Sequence, residues 1–337
     1  PPLRSRRVGL VSTVSRRLRS IPALFFAAVA LLVLLPVWLT LAALFDALRG
    51  KFRLPTARLL LFGLCWTWLE SAGVVVSGWL WATRRAWDRP AHYRLQRWWA
   101  ANLMRALRIT TGIRVEAANA RHLTPGPAVM LCRHASLADS LLSAWVVTSV
   151  AQMNPRYVLK KELLFDPCLD IVGNRLPNHF LDREASDSGT ELDSLRALSM
   201  NMEPDEVAII FPEGTRATPA KRERAMEKLR DRDPERAARL EDLRHVLPPR
   251  PAGSAALVEG HTGADIVFAW HVGFDGLDNF GGILRHLERR PLPVQFHTRR
   301  VSRADVPSGE AFTRWLDEQW RVVDLAVAEL LREKGTR

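Results

Sequence analysis

The chain has 337 residues and carries 48 Lys and Arg against 36 Asp and Glu, a net charge of +12. That length exceeds one minimal domain, and the mostly arginine excess points to an anionic partner: nucleic acid, anionic lipid or a phosphorylated substrate. Three widely spaced cysteines, Cys65, Cys132 and Cys168, form no CxxC pair or metal-ligand spacing. They exclude a disulfide framework and a cysteine metal site, read as buried thiols and fit a reducing compartment.

The sequence starts at Pro1 without an initiator methionine, so a longer natural N-terminus is expected. Residues 1–20 form a basic segment ending in Arg16, Arg17 and Arg19. Residues 21–83 then read as a two-helix membrane hairpin. Ile21 to Phe45 holds no charged residue. As a helix it would reach about 37 Å at roughly 1.5 Å per residue, longer than a bilayer core of about 30 Å. The run is also longer than a signal-peptide core. Leu59 to Thr83 is the second apolar stretch, with Glu70 as its single charge. A carboxylate at that depth requires a proton, a partner or a cavity. Two full spans and a half-inserted hairpin both remain open, because Arg49, Lys51, Arg53 and Arg58 occupy the connecting loop and leave the positive-inside count undecided.

Eight of the twelve tryptophans lie between Trp38 and Trp99, as interfacial anchors would. Residues 84–111 mix Arg94, Arg97, Arg105 and Arg108 with Trp98, Leu103 and Leu107. This predicts an amphipathic helix, lying on an anionic surface or packed on the main domain.

From residue 112 to 337 the pattern is α/β. Strands are expected at Ile113–Ala117, Pro127–Cys132, Tyr157–Lys160, Val207–Phe211, Ala264–Phe274 and Leu292–Val301. Helices are expected at Leu137–Met153, Thr190–Met202 and Glu310–Lys334. The alternation predicts a mixed, mostly parallel sheet flanked by helices. Residues 219–245 interleave both charge signs, read as an exposed helical insertion broken at Pro234. The run Pro248-Pro249-Arg250-Pro251 is expected to return the chain to the sheet.

Two places carry chemistry. His134 follows a predicted strand and Asp139 comes five residues later. With His134 in the loop and Asp139 in the first helical turn, the carboxylate can hold one ring nitrogen and leave the other as a base. Ser136-Leu-Ala-Asp139 is also a capping-box pattern, and the two roles are compatible. The second place is Phe211-Pro-Glu-Gly-Thr-Arg216, after the apolar run Val207–Ile210. Gly214 lets a ligand approach the backbone, and Arg216 offers a donor fork that fits phosphate. No G-x-S-x-G elbow, P-loop, G-x-G-x-x-G or H-E-x-x-H occurs.

The order His134-x4-Asp139, then Phe180-Leu181-Asp182-Arg183, then Phe211–Arg216 resembles the glycerolipid acyltransferase family, over roughly Ala118 to Pro307. The stretch Thr218-Pro-Ala-Lys-Arg-Glu-Arg224, then His245-Val-Leu-Pro-Pro-Arg250 with Gly253, also resembles the family's eukaryotic-type branch. Pro177 stands where the family has glycine, with Gly173 nearby to compensate, and Arg133 where many members have asparagine.

The resemblance implies a membrane-bound O-acyltransferase moving a fatty acyl group from a thioester to a lysophospholipid hydroxyl, with lysophosphatidic acid as the first choice of acceptor. It implies His134 as base and Asp139 as its partner. Arg183, Glu213, Gly214, Thr215 and Arg216 would serve the acceptor phosphate, and Arg250 with Gly253 the donor or site closure. No metal or cofactor is expected; acyl-CoA or acyl carrier protein is the co-substrate. Membrane lipids are the expected partners, with the catalytic domain on the cytoplasmic face. Competing readings are a non-catalytic lipid-binding protein on the same scaffold and a nucleic-acid binder. The latter leaves the two apolar stretches unexplained.

Overall fold

The computed structural model describes residues 3–182, 188–289 and 291–335, with side chains described from residue 13. The chain divides into two compact units, residues 1–112 with 160–178, and residues 113–159 with 179–337.

The first unit is helical: α1 Leu3–Val33, α2 Leu35–Leu48, α3 Pro55–Ala82, α4 Arg89–Thr111 and, from later in the chain, α6 Pro167–Arg175. The first apolar run, expected as one helix, is two. The stretch Thr13–Val33 and α2 meet at 71°. Pro36 explains the break, since its ring lacks an N–H and clashes with the carbonyl one turn earlier. The indole Nε1–H of Trp38 donates to the Leu31 carbonyl at 2.7 Å, satisfying an acceptor near the break. Asp46 of α2 then caps α3, accepting from Thr56 N (2.9 Å), Thr56 Oγ1 (2.7 Å) and Ala57 N (3.3 Å).

Helix α3 is long and apolar enough to cross a membrane, with a mean hydropathy of 1.7 in its best window. Its burial is inverted relative to a water-soluble helix. Glu70, Ser71 and Ser77 are buried while Val75, Trp79 and Trp81 are exposed. Trp66 Nε1–H donates to Glu70 at 3.0 Å. Arg16 and Arg17 both pair with buried Asp170 of α6 at 2.9 Å, so the basic collar is partly consumed inside this unit. In α4, Leu95, Leu103, Met104 and Leu107 are buried and Arg94, Arg105, Arg108 and Trp98 are exposed. The turn at Pro177 is held by Asn178, whose side chain donates to the Gly173 carbonyl at 3.0 Å.

The second unit is the α/β body. Its strands are β1 Val115–Ala117, β2 Ala128–Cys132, β3 Asn154–Lys160, β4 His179–Leu181, β5 Glu206–Ile210, β6 Asp265–Val272 and β7 Val294–Val301. They form one sheet in the order β1-β7-β6-β2-β5-β3-β4. The pairs β2–β5, β2–β6, β3–β5 and β1–β7 are parallel, and β6–β7 is antiparallel. The sheet is therefore mixed and mostly parallel. Its central strands are mostly apolar because both faces are covered: every residue of β2 and β5 is buried, Glu206 being the one charged residue among them.

The helices of this unit are α5 Asp139–Trp145, α7 Ser188–Ser199, α8 Pro219–Arg232, α9 Pro234–Arg239, α10 Pro251–Gly260, α11 Phe280–Glu288 and α12 Glu310–Gly335. One face of the sheet, with Val129, Leu131, Ile210, Ile266 and Phe268, packs on Leu195 and Leu198 of α7, Leu257 of α10 and Leu316, Trp320 and Val323 of α12. Burying an aromatic or aliphatic side chain of this size contributes about 1.5–3 kcal/mol.

Two further expectations change. The helix read over Leu137–Met153 is α5 followed by a wider π-turn at Val146–Val150. The Pro-rich run does not simply re-enter the sheet: Pro251 occupies the first turn of α10, where its missing N–H is harmless. The charged insertion is helical and breaks at Pro234, the first residue of α9, as its sequence indicates.

Candidate active site

Strands β5, β2 and β6 are parallel neighbours, so their carboxyl ends reach the same edge of the sheet. That edge is where open α/β sheets place ligands. β2 runs into His134, β5 into the turn Phe211–Arg216, and β6 carries His271 near its end.

Asp139 begins α5 and is buried. Its Oδ2 accepts from the His134 ring Nδ1 at 2.8 Å, from Ala135 N at 2.6 Å and from Ser136 N at 2.9 Å. Its Oδ1 accepts from the Ser136 hydroxyl and from His271 Nε2 at 2.8 Å. Burial opposes its ionisation. The neighbouring His271 and the hydrogen bonds from both imidazoles outweigh burial and hold the carboxyl well below the usual carboxylate range. An ionised carboxylate only accepts, so His134 carries its proton on Nδ1. Its Nε2 is then the unprotonated nitrogen, and it has no partner among the described residues. The Phe211 ring packs against the imidazole at 4.8 Å. The capping relation is present too: Ser136 N–H reaches Asp139, and Ser136 Oγ accepts from Ala138 N at 3.1 Å. One carboxylate closes the turn and orients the His134 ring.

Gly214 sits at φ +68°, a conformation that favours glycine. A Cβ there would lie 3.1 Å from the Arg250 guanidinium. Arg250 N donates to Pro212 O at 2.9 Å, so backbone and side chain of Arg250 both lie on this turn. Thr215 Oγ1 accepts from Lys221 Nζ at 3.2 Å, and the Arg216 carbonyl lies 3.4 Å from the same ammonium. Ala217 N donates to the His134 carbonyl at 2.6 Å, fastening the turn to the His134 loop. The Arg216 guanidinium has no hydrogen bond or ion pair among the described residues. Two cations, Lys221 and Arg250, thus lie against Gly214 and Thr215, and Arg216 is the next residue of the same turn.

Glu213 differs from expectation. It is buried, its Oε1 accepts from His134 N at 2.8 Å and its Oε2 from Leu247 N at 2.9 Å. With both oxygens turned to backbone donors, it braces the His134 loop. Burial pushes its pKa up to about 8, against the opposing hydrogen bonds from His134 and Leu247. Gly253 is also away from ligand contact: a Cβ there would press on Ile210 and Leu195 side chains at 3.2 and 3.4 Å, so its smallness serves the packing of α10. Arg183 lies outside the described residues.

Several supporting residues gave no sequence signal. Arg133 is buried and donates to His271 O at 2.6 Å, to His245 O at 3.1 Å and to Asp275 Oδ1 at 2.8 Å. It is a tie beneath the site, so this departure from asparagine does not put a side chain into the acceptor region. Asp324 of α12 accepts from the backbone N–H groups of Arg244, His245 and Val246, fixing the segment that delivers Leu247 and Arg250. His271 is an isolated histidine in a buried strand, indistinguishable in sequence from a core residue. Lys221 could have been suspected from Thr218-Pro219, a helix-start pattern that places Lys221 one turn after Arg216.

Residues 114–266 match the protein family described as Acyltransferase. Lysocardiolipin acyltransferase 1 of Danio rerio is 29% identical over 148 residues, covering 42% of this chain and 36% of that protein's own length. The crystal structure of the 1-acyl-sn-glycerophosphate (LPA) acyltransferase PlsC from Thermotoga maritima superposes with a TM-score of 0.53 at 18% identity, over 82% of this chain and 97% of that one. This last likeness is one of fold. The matched stretch contains the His134–Asp139 pair and the Phe211–Arg216 turn, joined at one sheet edge, so residues 114–266 form an acyltransferase-family domain.

Proposed function

We propose that this protein is a membrane-bound acyltransferase that transfers a fatty acyl group from a thioester to the free hydroxyl of 1-acyl-sn-glycerol-3-phosphate, giving phosphatidic acid. The observation that carries the reading is the pairing of an oriented, unpartnered His134 Nε2 with the adjacent Gly214–Thr215 turn, against which Lys221 and Arg250 lie.

In this reading His134 Nε2 takes the proton of the acceptor hydroxyl as its oxygen attacks the thioester carbonyl. Asp139 fixes the tautomer and stabilises the imidazolium that forms. The tetrahedral intermediate then collapses, the C–S bond breaks, and the departing thiolate takes the proton from His134. The oxygen ester and free thiol are the products, and no acyl-enzyme is required. Arg216, Lys221 and Arg250 bind the acceptor phosphate, with Gly214 allowing backbone approach. Arg183 joins them by its motif position. Acyl-CoA or acyl carrier protein supplies the thioester; both are anionic and suit the basic chain.

The inverted burial of α3 supports a bilayer setting, because an apolar exterior over a polar interior suits lipid rather than water. The bent pair of Thr13–Val33 and α2 fits a re-entrant segment beside it. The catalytic unit is assigned to the cytoplasmic face, where acyl thioesters are found.

Purified full-length protein should acylate lysophosphatidic acid with a long-chain acyl-CoA in preference to monoacylglycerol, which lacks the phosphate. A panel including lysocardiolipin and neutral-headgroup lysophospholipids tests the acceptor. Equal rates with and without an acceptor phosphate would refute the phosphate assignment, and no transfer to any lysophospholipid would refute the activity.

A further inference from the structure

Asp139 lies between two imidazoles. His134 Nδ1 is 2.8 Å from Oδ2 and His271 Nε2 is 2.8 Å from Oδ1. The reading of His134 as base uses only the first contact. His271 comes from β6, is 2% exposed, and packs edge-on against Phe274 with ring centroids 5.7 Å apart. Its backbone carbonyl accepts from Arg133 Nη1 at 2.6 Å.

We propose that His271 is a positioning residue for acyl transfer, holding Asp139 Oδ1 so that Oδ2 stays aligned with the His134 ring, and moderating how tightly Asp139 retains a proton on His134. The inference rests on the assignment of His134 as base. An ionised Asp139 accepts only, so His271 donates from Nε2. Its Nδ1 is buried without a hydrogen-bond partner among the described residues. The charged groups facing it are Asp139 from α5, Arg133 from the loop after β2 and Asp275 from the loop after β6, which itself pairs with Arg133.

Five donors share the two carboxylate oxygens: Ala135 N, Ser136 N, Ser136 Oγ, His134 Nδ1 and His271 Nε2. Each draws charge from the carboxylate, so the imidazolium of His134 is stabilised less than by an Asp with fewer donors. A base held too basic would not return its proton to the departing thiolate. Orientation acts in the same place. Without the His271 contact, Oδ1 is held by one rotatable hydroxyl, and the carboxylate loses the donor that fixes that oxygen from the sheet.

His271→Leu removes the donor at similar bulk, and His271→Gln restores an N–H of similar reach. In full-length protein assayed with lysophosphatidic acid and a long-chain acyl-CoA, His271→Leu should lower kcat by about 10- to 100-fold. The acceptor KM should stay within about twofold, and the acid limb of the kcat/KM profile should move to higher pH, as a more basic His134 requires. His271→Gln should recover most of kcat. The proposal is overturned if folded His271→Leu retains kcat within about twofold of the parent, or if both variants lose activity equally with the acid limb unmoved. Should His271→Leu not fold, His271→Gln decides alone: a tenfold loss of kcat at unchanged Tm overturns it. Residual turnover in His134→Ala sinks the base assignment itself; an inactive His134→Ala with an indifferent His271→Leu sinks only the role of His271.

Discussion

Glu213 Oε1 accepts the backbone N–H of His134 at 2.8 Å, so the turn after β5 directly holds the loop after β2 that carries the base. Removing that buried acceptor in Glu213→Ala leaves the N–H groups of His134 and Leu247 unsatisfied, at about 1–3 kcal/mol each. The expected result is a lowered Tm together with a fall in kcat, since the loop bearing His134 loses its brace. A pH dependence accompanies it. The folded pKa of about 8 lies above the ordinary 4.5, so the folded state holds this proton more tightly than the unfolded one. Its stabilising contribution is complete below the unfolded value and lost as pH rises through the folded value. Parent Tm should decline from about pH 4.5 to about pH 8 relative to Glu213→Gln, whose amide does not titrate in that window. Parallel Tm profiles for the two proteins would remove Glu213 as the source.

Asp139 shows the opposite sign. Its carboxyl is held well below the usual range, so its contribution is present above the unfolded value near 4 and is lost as pH falls through and below it. Asp139→Asn keeps the volume but presents an amide to His134 Nδ1 and to backbone donors. A loss of about 10²–10⁴ in kcat is expected, with membrane association unchanged. His134→Ala should eliminate measurable transfer. Activity of Asp139→Asn within tenfold of the parent would show that the ring is oriented by other means.

The phosphate turn predicts a split between acceptors. Arg216→Ala removes a charge-assisted contact worth about 1.5–3 kcal/mol, which corresponds to roughly a 10- to 100-fold loss in kcat/KM for lysophosphatidic acid. Lys221→Ala should weaken the same parameter less, because Thr215 and the Arg216 carbonyl already engage its ammonium. Neither change should alter turnover of a phosphate-free acceptor such as monoacylglycerol. Equal losses on both acceptors would mean that the cations support the fold or the donor instead.

How much of this was readable in the sequence follows the range of the interactions. The contact between His134 and Asp139 and the turn with Gly214 were legible because each is a local pattern: a capping relation over four residues and a glycine-arginine corner after an apolar strand. The parallel core was legible from the unbroken apolar runs at Ala128–Cys132 and Val207–Ile210. His271, Asp324 and Arg133 were not, since their partners lie 132, 78 to 80 and 112 to 142 residues away in sequence. Glu213 was misplaced for the same reason. Beside Gly214 and Arg216 it reads as part of a phosphate site, and only the three-dimensional positions of His134 and Leu247 turn it inward. The break at Leu34–Pro36 was written in Pro36, but uniform hydropathy on both sides masked it.

Gly214 offers a test of the turn's geometry independent of charge. At φ +68° an alanine is strained, and its Cβ would sit 3.1 Å from the Arg250 guanidinium. Backbone strain of this kind costs on the order of 1–2 kcal/mol. Gly214→Ala should therefore lower Tm modestly. It should lower acceptor affinity more, because Arg250 must shift off the turn that the phosphate approaches. An alanine variant with parental Tm and parental KM for lysophosphatidic acid would show that neither the left-handed turn nor the Arg250 contact matters to binding.

The exterior of α3 separates lipid from water. Val75 is 58% exposed, on a helix whose polar residues Glu70, Ser71 and Ser77 face inward. On a surface bathed in water, Val75→Arg would change stability by less than about 0.5 kcal/mol. Facing hydrocarbon, the same arginine is opposed by about 2.5–3.5 kcal/mol on insertion scales. The expected outcome is loss of protein from carbonate-washed membranes and reduced accumulation for Val75→Arg, with Arg94→Ala on the polar side of α4 serving as a mild control. Retention of Val75→Arg in washed membranes at the parental level would argue that α3 lies out of contact with the acyl chains, and the inverted burial of its side chains would then require a protein partner instead of a bilayer.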